Sequence, residues 1–208
     1  GFLVARWAVP SFIATVGMLS YARGVAYYLG GGMPVEFPPP SYAYLGSGYL
    51  LRVPVSVWVA GAVFVALHVL LHRTALGRQM FATGGNREAA RLSGIRTQRV
   101  EFVGFLLAGL VTGLTALVLS SRVMSGQPTI AATLQFEAIA AVAIGGTRLG
   151  GGDGSMFRTA VGTLIIAALS NGLTLANVST FVQQMLIGAI MVGAVAVDQW
   201  QRRRGGPA

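Results

Sequence analysis

Few residues in this chain have the types and spacing that chemistry requires. His68 and His72 stand four apart, which places both on one face of a helix at a legal metal-ligand spacing. No acid stands beside them and Arg73 follows directly, so packing at a membrane interface is the better reading. The chain has no Cys, which excludes a disulfide framework and a thiolate metal site. "GGTRLGGGDGS", Gly145 to Ser155, carries the glycines of a phosphate-cradling loop, but lacks the Gly-Lys-Ser/Thr ending and a preceding strand. Its glycines suit a tight turn between helices instead. Ser47 in "LGSGY" has no His in a plausible partner helix, and Asn177-Val178-Ser179 matches a glycosylation pattern within a turn too short to make it persuasive. No catalytic residue and no metal site are expected.

Three ionisable groups fall within long apolar stretches: Arg23, Glu137 and His68. Such groups are functional suspects by default. Asn171 and Gln183, polar residues of the C-terminal apolar run, join Glu137 as candidates for a polar pathway. Each could equally make an interhelical hydrogen bond. A carrier coupled to a proton or sodium gradient would need a titrating acid within the membrane, and Glu137 is the one candidate. If an ion gradient does not drive this chain, energy must enter from outside it.

The central passage "GRQMFATGGNREAARLSGIRTQRVEF", Gly77 to Phe102, is the obvious entry point. It packs five arginines and two acids between uncharged runs. Asn86 is a good helix N-cap, Glu88 stands in the first turn where the helix dipole favours an acid, and Gly94 suits a left-handed C-terminal position. Ala89, Ala90, Leu92 and Ile95 supply a small apolar face. A helix of about eight residues is marginal by itself in water, so docking must order it. It suits transmission of force from a soluble partner, the plainer alternative being a basic loop held near anionic lipid headgroups.

The elements that must position these residues follow from composition. The chain has 208 residues, 54% hydrophobic and 10% charged, with mean hydropathy +0.67. Soluble domains carry roughly 25% charged residues. Charge-free stretches run from Val53 to Leu71, Phe102 to Ser121 and Thr159 to Val197. A membrane-spanning helix needs about 20 apolar residues, so the first two are single spans. The third breaks at "SNGLTLANVS", where Asn and Gly favour a turn. A soluble bundle would need polar outer helix faces that these lack. The expected fold is an all-α integral membrane protein, a polytopic helical bundle with about six membrane segments. They are Val9 to Leu29, Val53 to Leu71, Phe102 to Ser121, Leu134 to Thr147, Thr159 to Leu175 and Thr180 to Val197. The fourth is too short for a straight crossing, and is expected to be re-entrant or extended outward through Ala131. Re-entrant backbone needs a covering of protein or a water-filled cavity.

The net charge is +9 and every basic residue is Arg. The arginines lie between apolar spans instead of on one patch, which disfavours nucleic acid as a partner and fits the positive-inside rule. With the loop from residue 72 to 101 cytoplasmic, twelve of the fifteen basic residues fall inside (Arg6, six in that loop, Arg148, Arg158 and Arg202 to Arg204). Both ends of the chain then lie inside. "GGGMPVEFPPPSYAYLGSGYLLRVP" and "SGQPT" become external connections, the first a structured, aromatic-rich loop. No secretory signal is visible, and a start at Gly1 suggests the C-terminal portion of a longer protein.

Three stretches resemble permease subunits of ribose- and xylose-type bacterial ABC sugar importers. They are "PSFIATVGMLSYARGVAYYLGGG", "GRQMFATGGNREAARLSGI" and the run from Arg122 to Asp198 that contains "LQFEAIAAVAIGGTRLGGGDGS". The resemblance covers essentially the whole chain. It implies one transmembrane permease domain over 1–208, located in the bacterial inner membrane. It also implies a solute-binding protein outside, a second permease subunit (a homodimer is expected), and a cytoplasmic ATPase that uses ATP and Mg. This chain itself would bind no cofactor. Gly85, Asn86, Glu88, Ala89, Ala90, Arg91, Leu92 and Gly94 would then form the helix that couples to the ATPase. Where the family has Glu-Leu-Asp, this chain has Gln135-Phe136-Glu137. A branched-chain amino acid or nucleoside permease of the same superfamily, and an ion-coupled carrier, are the alternatives.

Overall fold

The charge-free runs become helices in the computed structural model. It describes residues 1–7, 9–36, 40–148 and 150–204, with side chains described except at positions 40, 41, 194, 195 and 197–204. The arginine tail's side chains and residues 205–208 therefore lie outside the described residues, as do positions 37–39 of the long loop expected outside. In chain order the elements are α1 (Phe2–Trp7), α2 (Ser11–Gly30), β1 (Val35–Glu36), α3 (Pro40–Ser47), β2 (Tyr49–Leu50), β3 (Val53–Pro54) and α4 (Val55–Arg73). Then come α5 (Ala75–Gly85), α6 (Arg87–Leu92), α7 (Thr97–Val123), β4 (Ser125–Gly126), α8 (Leu134–Ile144), α9 (Met156–Leu175) and α10 (Thr180–Arg204).

Each expected membrane segment coincides with one helix: α2, α4, α7, α8, α9 and α10. Among the described residues, α4, α7 and α9 are long and apolar enough to cross a membrane, with mean hydropathy 2.0, 2.3 and 1.3. None of the most apolar stretch of α4 or α7 is buried within the chain, so those surfaces are left for lipid or neighbouring helices. At 11 residues, α8 rises only about 16 Å, half of a hydrocarbon core of about 30 Å. The chain adds α1, α3 and α5, which apolar periodicity did not reveal, because each is short and borders Gly, Pro or Arg.

The chain forms two compact units. The first comprises Gly1–Thr83 with Arg87–Ile130. Here α3 rests on α7 through Ser121, which is fully buried. The Gly46 amide donates to Ser121 Oγ at 2.8 Å, Ser121 Oγ donates to the Tyr42 carbonyl, and the Tyr42 and Ser120 hydroxyls lie 2.6 Å apart. A Cβ at Gly46 would strike the Arg122 backbone, so glycine lets the helices touch. The two connections expected outside pair as antiparallel strands, Val35 with Gly126 and Glu36 with Ser125. They therefore lie on one side of the membrane, as alternation requires.

The second unit comprises Gly84–Asn86 and the described residues from Ala131 onward. Its core gathers Ala140, Ala141, Ile166 and Ile187 from α8, α9 and α10. Small residues permit close helix approach: a Cβ at Gly162 of α9 would meet the Ala141 carbonyl of α8, and one at Gly145 would meet the Arg158 carbonyl.

Candidate functional site

The central loop is more helical than its composition foretold. Thr74 breaks α4 and caps α5: its hydroxyl donates to the Leu70 carbonyl at 2.5 Å and accepts the Gly77 amide at 3.2 Å. Serving the third amide of the new helix is the usual N-cap role. Beyond Asn86, α6 runs for six residues, two fewer than the spacing predicts. Gly94, at φ 82°, ends it in a Schellman motif. The Gly94 amide donates to the Arg91 carbonyl and the Ile95 amide to the Ala90 carbonyl, both at 3.0 Å.

So short a helix needs tethers. Arg87 supplies one by gripping Glu101 of α7, with Nε to Oε1 at 3.0 Å and Nη2 to Oε2 at 3.1 Å. Arg91 pairs with Glu88 at 2.8 Å on the exposed face. The expected apolar face divides. Ala90 is buried and Ile95 half-buried, whereas Ala89 is exposed and Leu92 is 79% exposed. At 100° per residue, Leu92 stands roughly 200° from Ala90 and cannot share its face. Arg87, Glu88, Arg91, Ile95, Arg96, Thr97, Gln98 and Arg99 line a cleft of about 690 Å³. Four of its eight lining residues are Arg and one is acidic; with Arg87 and Arg91 paired to acids, Arg96 and Arg99 leave the cleft with a net positive charge.

The residues expected to couple divide between the units, Gly85 and Asn86 in the second and Glu88 to Gly94 in the first. Within the second unit, the backbone at Gly84 and Gly85 lies directly against Gly151 and Gly152. A Cβ on Gly84 would come within 2.7 Å of the Gly152 amide nitrogen, and one on Gly152 within 2.6 Å of Gly85 Cα. Asp153 braces that turn, holding Arg158 at 2.9 Å and Arg148 at 3.8 Å. The glycine-rich stretch thus joins α8 to α9, with a helix and no strand before it. It touches another loop that alternation places on the same membrane side.

Glu137 stands in the first turn of α8 and lines a cleft of about 310 Å³ with Thr133, Phe136, Gln184, Ile187, Gly188 and Met191. Neither Asn171 nor Gln183 lines it. Asn171 is exposed on α9. The Gln183 amide is engaged at the α9–α10 corner, donating to the Val178 carbonyl at 2.9 Å and to Thr174 Oγ1 at 3.3 Å. That corner closes on Asn177 at φ 55°. Gln184, which sequence reasoning passed over, turns into the cleft because adjacent helical residues differ by about 100°. Two neighbouring glutamines were the available signal; which one faced inward was not.

His68 and His72 stack with centroids 4.6 Å apart, continued by Phe64 and Phe81 at 6.1 Å each. Among the described residues no group of three or more potential His, Asp or Glu ligands occurs. The Arg87–Glu101 tether also escaped sequence reading, because the pair spans 14 positions.

The chain was compared with known proteins. It is 40% identical over 201 residues to the ribose import permease protein RbsC of Bacillus subtilis, covering 96% of this chain and 62% of that protein. RbsC of Escherichia coli strain K12 is 40% identical over 202 residues, covering 95% and 63%. The L-arabinose transport system permease protein AraH of the same strain is 33% identical over 203 residues, covering 98% and 62%. The chain thus spans less than two thirds of the length of these relatives. No solved structure matches it. A family model described as the permease component of the branched-chain amino acid transport system matches residues 1–195. The helical membrane architecture and this match together place the chain: it belongs to that family of transport-system permease components.

Proposed function

We propose that this chain is the membrane-embedded part of a bacterial ABC importer subunit that admits a monosaccharide such as ribose. A cytoplasmic ATPase would hydrolyse ATP, an external solute-binding protein would deliver the sugar, and a second permease copy would complete the channel. In this reading the chain carries no catalytic group and binds no cofactor. Both its ends lie inside the cell, and it acts as a single permease domain. Gly85, Asn86, Glu88, Ala89, Ala90, Arg91, Leu92 and Gly94 form the coupling segment that receives the ATPase's motion. Glu137 contributes to the path, with Asn171 and Gln183 as weaker candidates.

The single observation carrying the proposal is the construction of α6. It is a six-residue helix, closed by Gly94 and anchored by Arg87 to α7. It leaves Leu92 and the Glu88–Arg91 pair exposed. An exposed leucine among charges on a tethered short helix suits a groove in a soluble partner. The names of RbsC and AraH support a sugar as solute, while the family's description favours a branched-chain amino acid as the second reading.

Uptake in proteoliposomes holding the complete permease tests this. ATP with the partner subunits should drive ribose accumulation, and an imposed proton gradient alone should not. Glu88→Lys combined with Arg91→Glu reverses the surface charges while conserving the pair. It should separate ATP hydrolysis from uptake without loss of membrane insertion. Uptake by the permease alone on a gradient, or normal coupling in the double variant, would sink the proposal. Uptake of leucine in place of ribose would favour the second reading.

A further inference from the structure

The cleft at the start of α8 collects polar groups that the fold leaves unused. The Glu137 carboxylate, the Gln184 carboxamide and the Thr133 hydroxyl belong to residues that line it. None of the three groups has a hydrogen-bond or ion-pair partner among the described residues, and Thr133, although at the N-cap position, makes no side-chain cap bond. Phe136, Ile187 and Met191 make much of the remaining wall. Within the chain Gln184 is exposed and Glu137 and Thr133 are half-buried, so the groups are open to whatever fills the cleft, and against hydrocarbon they would cost free energy until something supplied partners. Acyl chains offer no donor or acceptor. Adjacent hydroxyls offer both: they can donate to the oxygens of Glu137 and accept from the Gln184 amide, and the C–H face of a sugar can stack on Phe136. Small-molecule sites occupy roughly 300–1,000 Å³. At about 310 Å³, this cleft stands at the lower bound, which suits one sugar ring.

We infer that this cleft reads an adjacent pair of monosaccharide hydroxyls that includes the one on C2, with Glu137 and Gln184 as the discriminating groups. The inference rests on the reading of the chain as part of a sugar importer and names where selectivity is exercised. Glu137 sets direction by accepting only; Gln184 donates from the facing helix α10. The two are 47 positions apart, and only the packing of α10 on α8 brings them to one cleft.

The test uses the complete permease with its partner subunits in proteoliposomes, D-ribose and 2-deoxy-D-ribose each saturating the binding protein. Maximal uptake rates are read beside ATP hydrolysis. Glu137→Gln and Gln184→Met should each lower the rate for ribose about tenfold and leave that for deoxyribose within about twofold, because a site built around a hydroxyl discriminates by leaving its own groups unpaired. ATP hydrolysis should persist. Thr133→Val makes the same comparison should Glu137→Gln fail to insert. An unchanged ribose-to-deoxyribose ratio in the inserted variants overturns the inference, whether both rates are normal or both fall together. If the unaltered assembly carries no sugar, the proposed function itself fails, and the two failures are told apart.

Discussion

Arg87 and Glu101 hold each other at two points, 3.0 Å and 3.1 Å, across 14 positions of chain. The fork of the guanidinium meets both carboxylate oxygens, which restricts rotation as well as distance. The start of α6 is thereby tied to the second turn of α7, in the stretch of α7 that precedes its long apolar run.

Glu101→Gln should loosen α6 and leave the unit folded. The pair is partly exposed, 51% at Arg87 and 21% at Glu101, so screening limits its worth to about 0.5 kcal/mol. Amide exchange at Ser93 and Ile95, whose N–H groups close the end of α6, should quicken roughly twofold. Exchange at Val111 of α7 should not change. An unaltered Ser93 and Ile95 would mean that the pair is incidental to α6.

Glycines that look alike in sequence should respond differently to the same substitution. At Gly162 a methyl group would meet the Ala141 carbonyl, whereas at Gly172, on the same helix, nothing lies within 4 Å. Gly162→Ala should destabilise the second unit by about 1–3 kcal/mol through overpacking. Gly172→Ala should be neutral or stabilising by up to about 1 kcal/mol, because alanine favours helix. Thermal unfolding of the purified permease in detergent reads the contrast. Equal melting temperatures for both variants would refute the close approach of α8 and α9.

The pairing of β1 with β4 can be trapped. With no native Cys, the double variant Glu36→Cys with Ser125→Cys introduces the only thiols in this chain. The positions face each other across the β1–β4 ladder, where Cα atoms are about 4.5–5.5 Å apart, within disulfide reach. Mild oxidation should close most of the protein into an internally bridged form on non-reducing gels, which the single variants cannot form. Absence of the bridge would separate the two connections.

Much of the fold was legible in one dimension, for physical reasons that stand out at particular residues. Charge-free runs must leave water, so the positions of α4 and α7 could be read directly. Gly94 ends α6 because a left-handed φ of 82° favours a residue without Cβ. Asn177 closes α9 by the same geometry, at the turn expected there. The candidate site was only half legible. Glu137 announced itself as an acid in an apolar segment, but its companions Gln184 and Thr133 are ordinary residues until two helices pack.

By itself, then, the sequence determined where the chain enters apolar surroundings, which connections carry the arginines, and where helices stop. Each depends on the solvation or backbone freedom of neighbouring residues. Only tertiary structure decided that Arg87 grips Glu101, that Gly162 admits the Ala141 carbonyl, and that Gln184 rather than Gln183 meets the cleft at Glu137. Those are contacts between distant positions, set by the angle and depth at which helices pack, and no local pattern of residues encodes them.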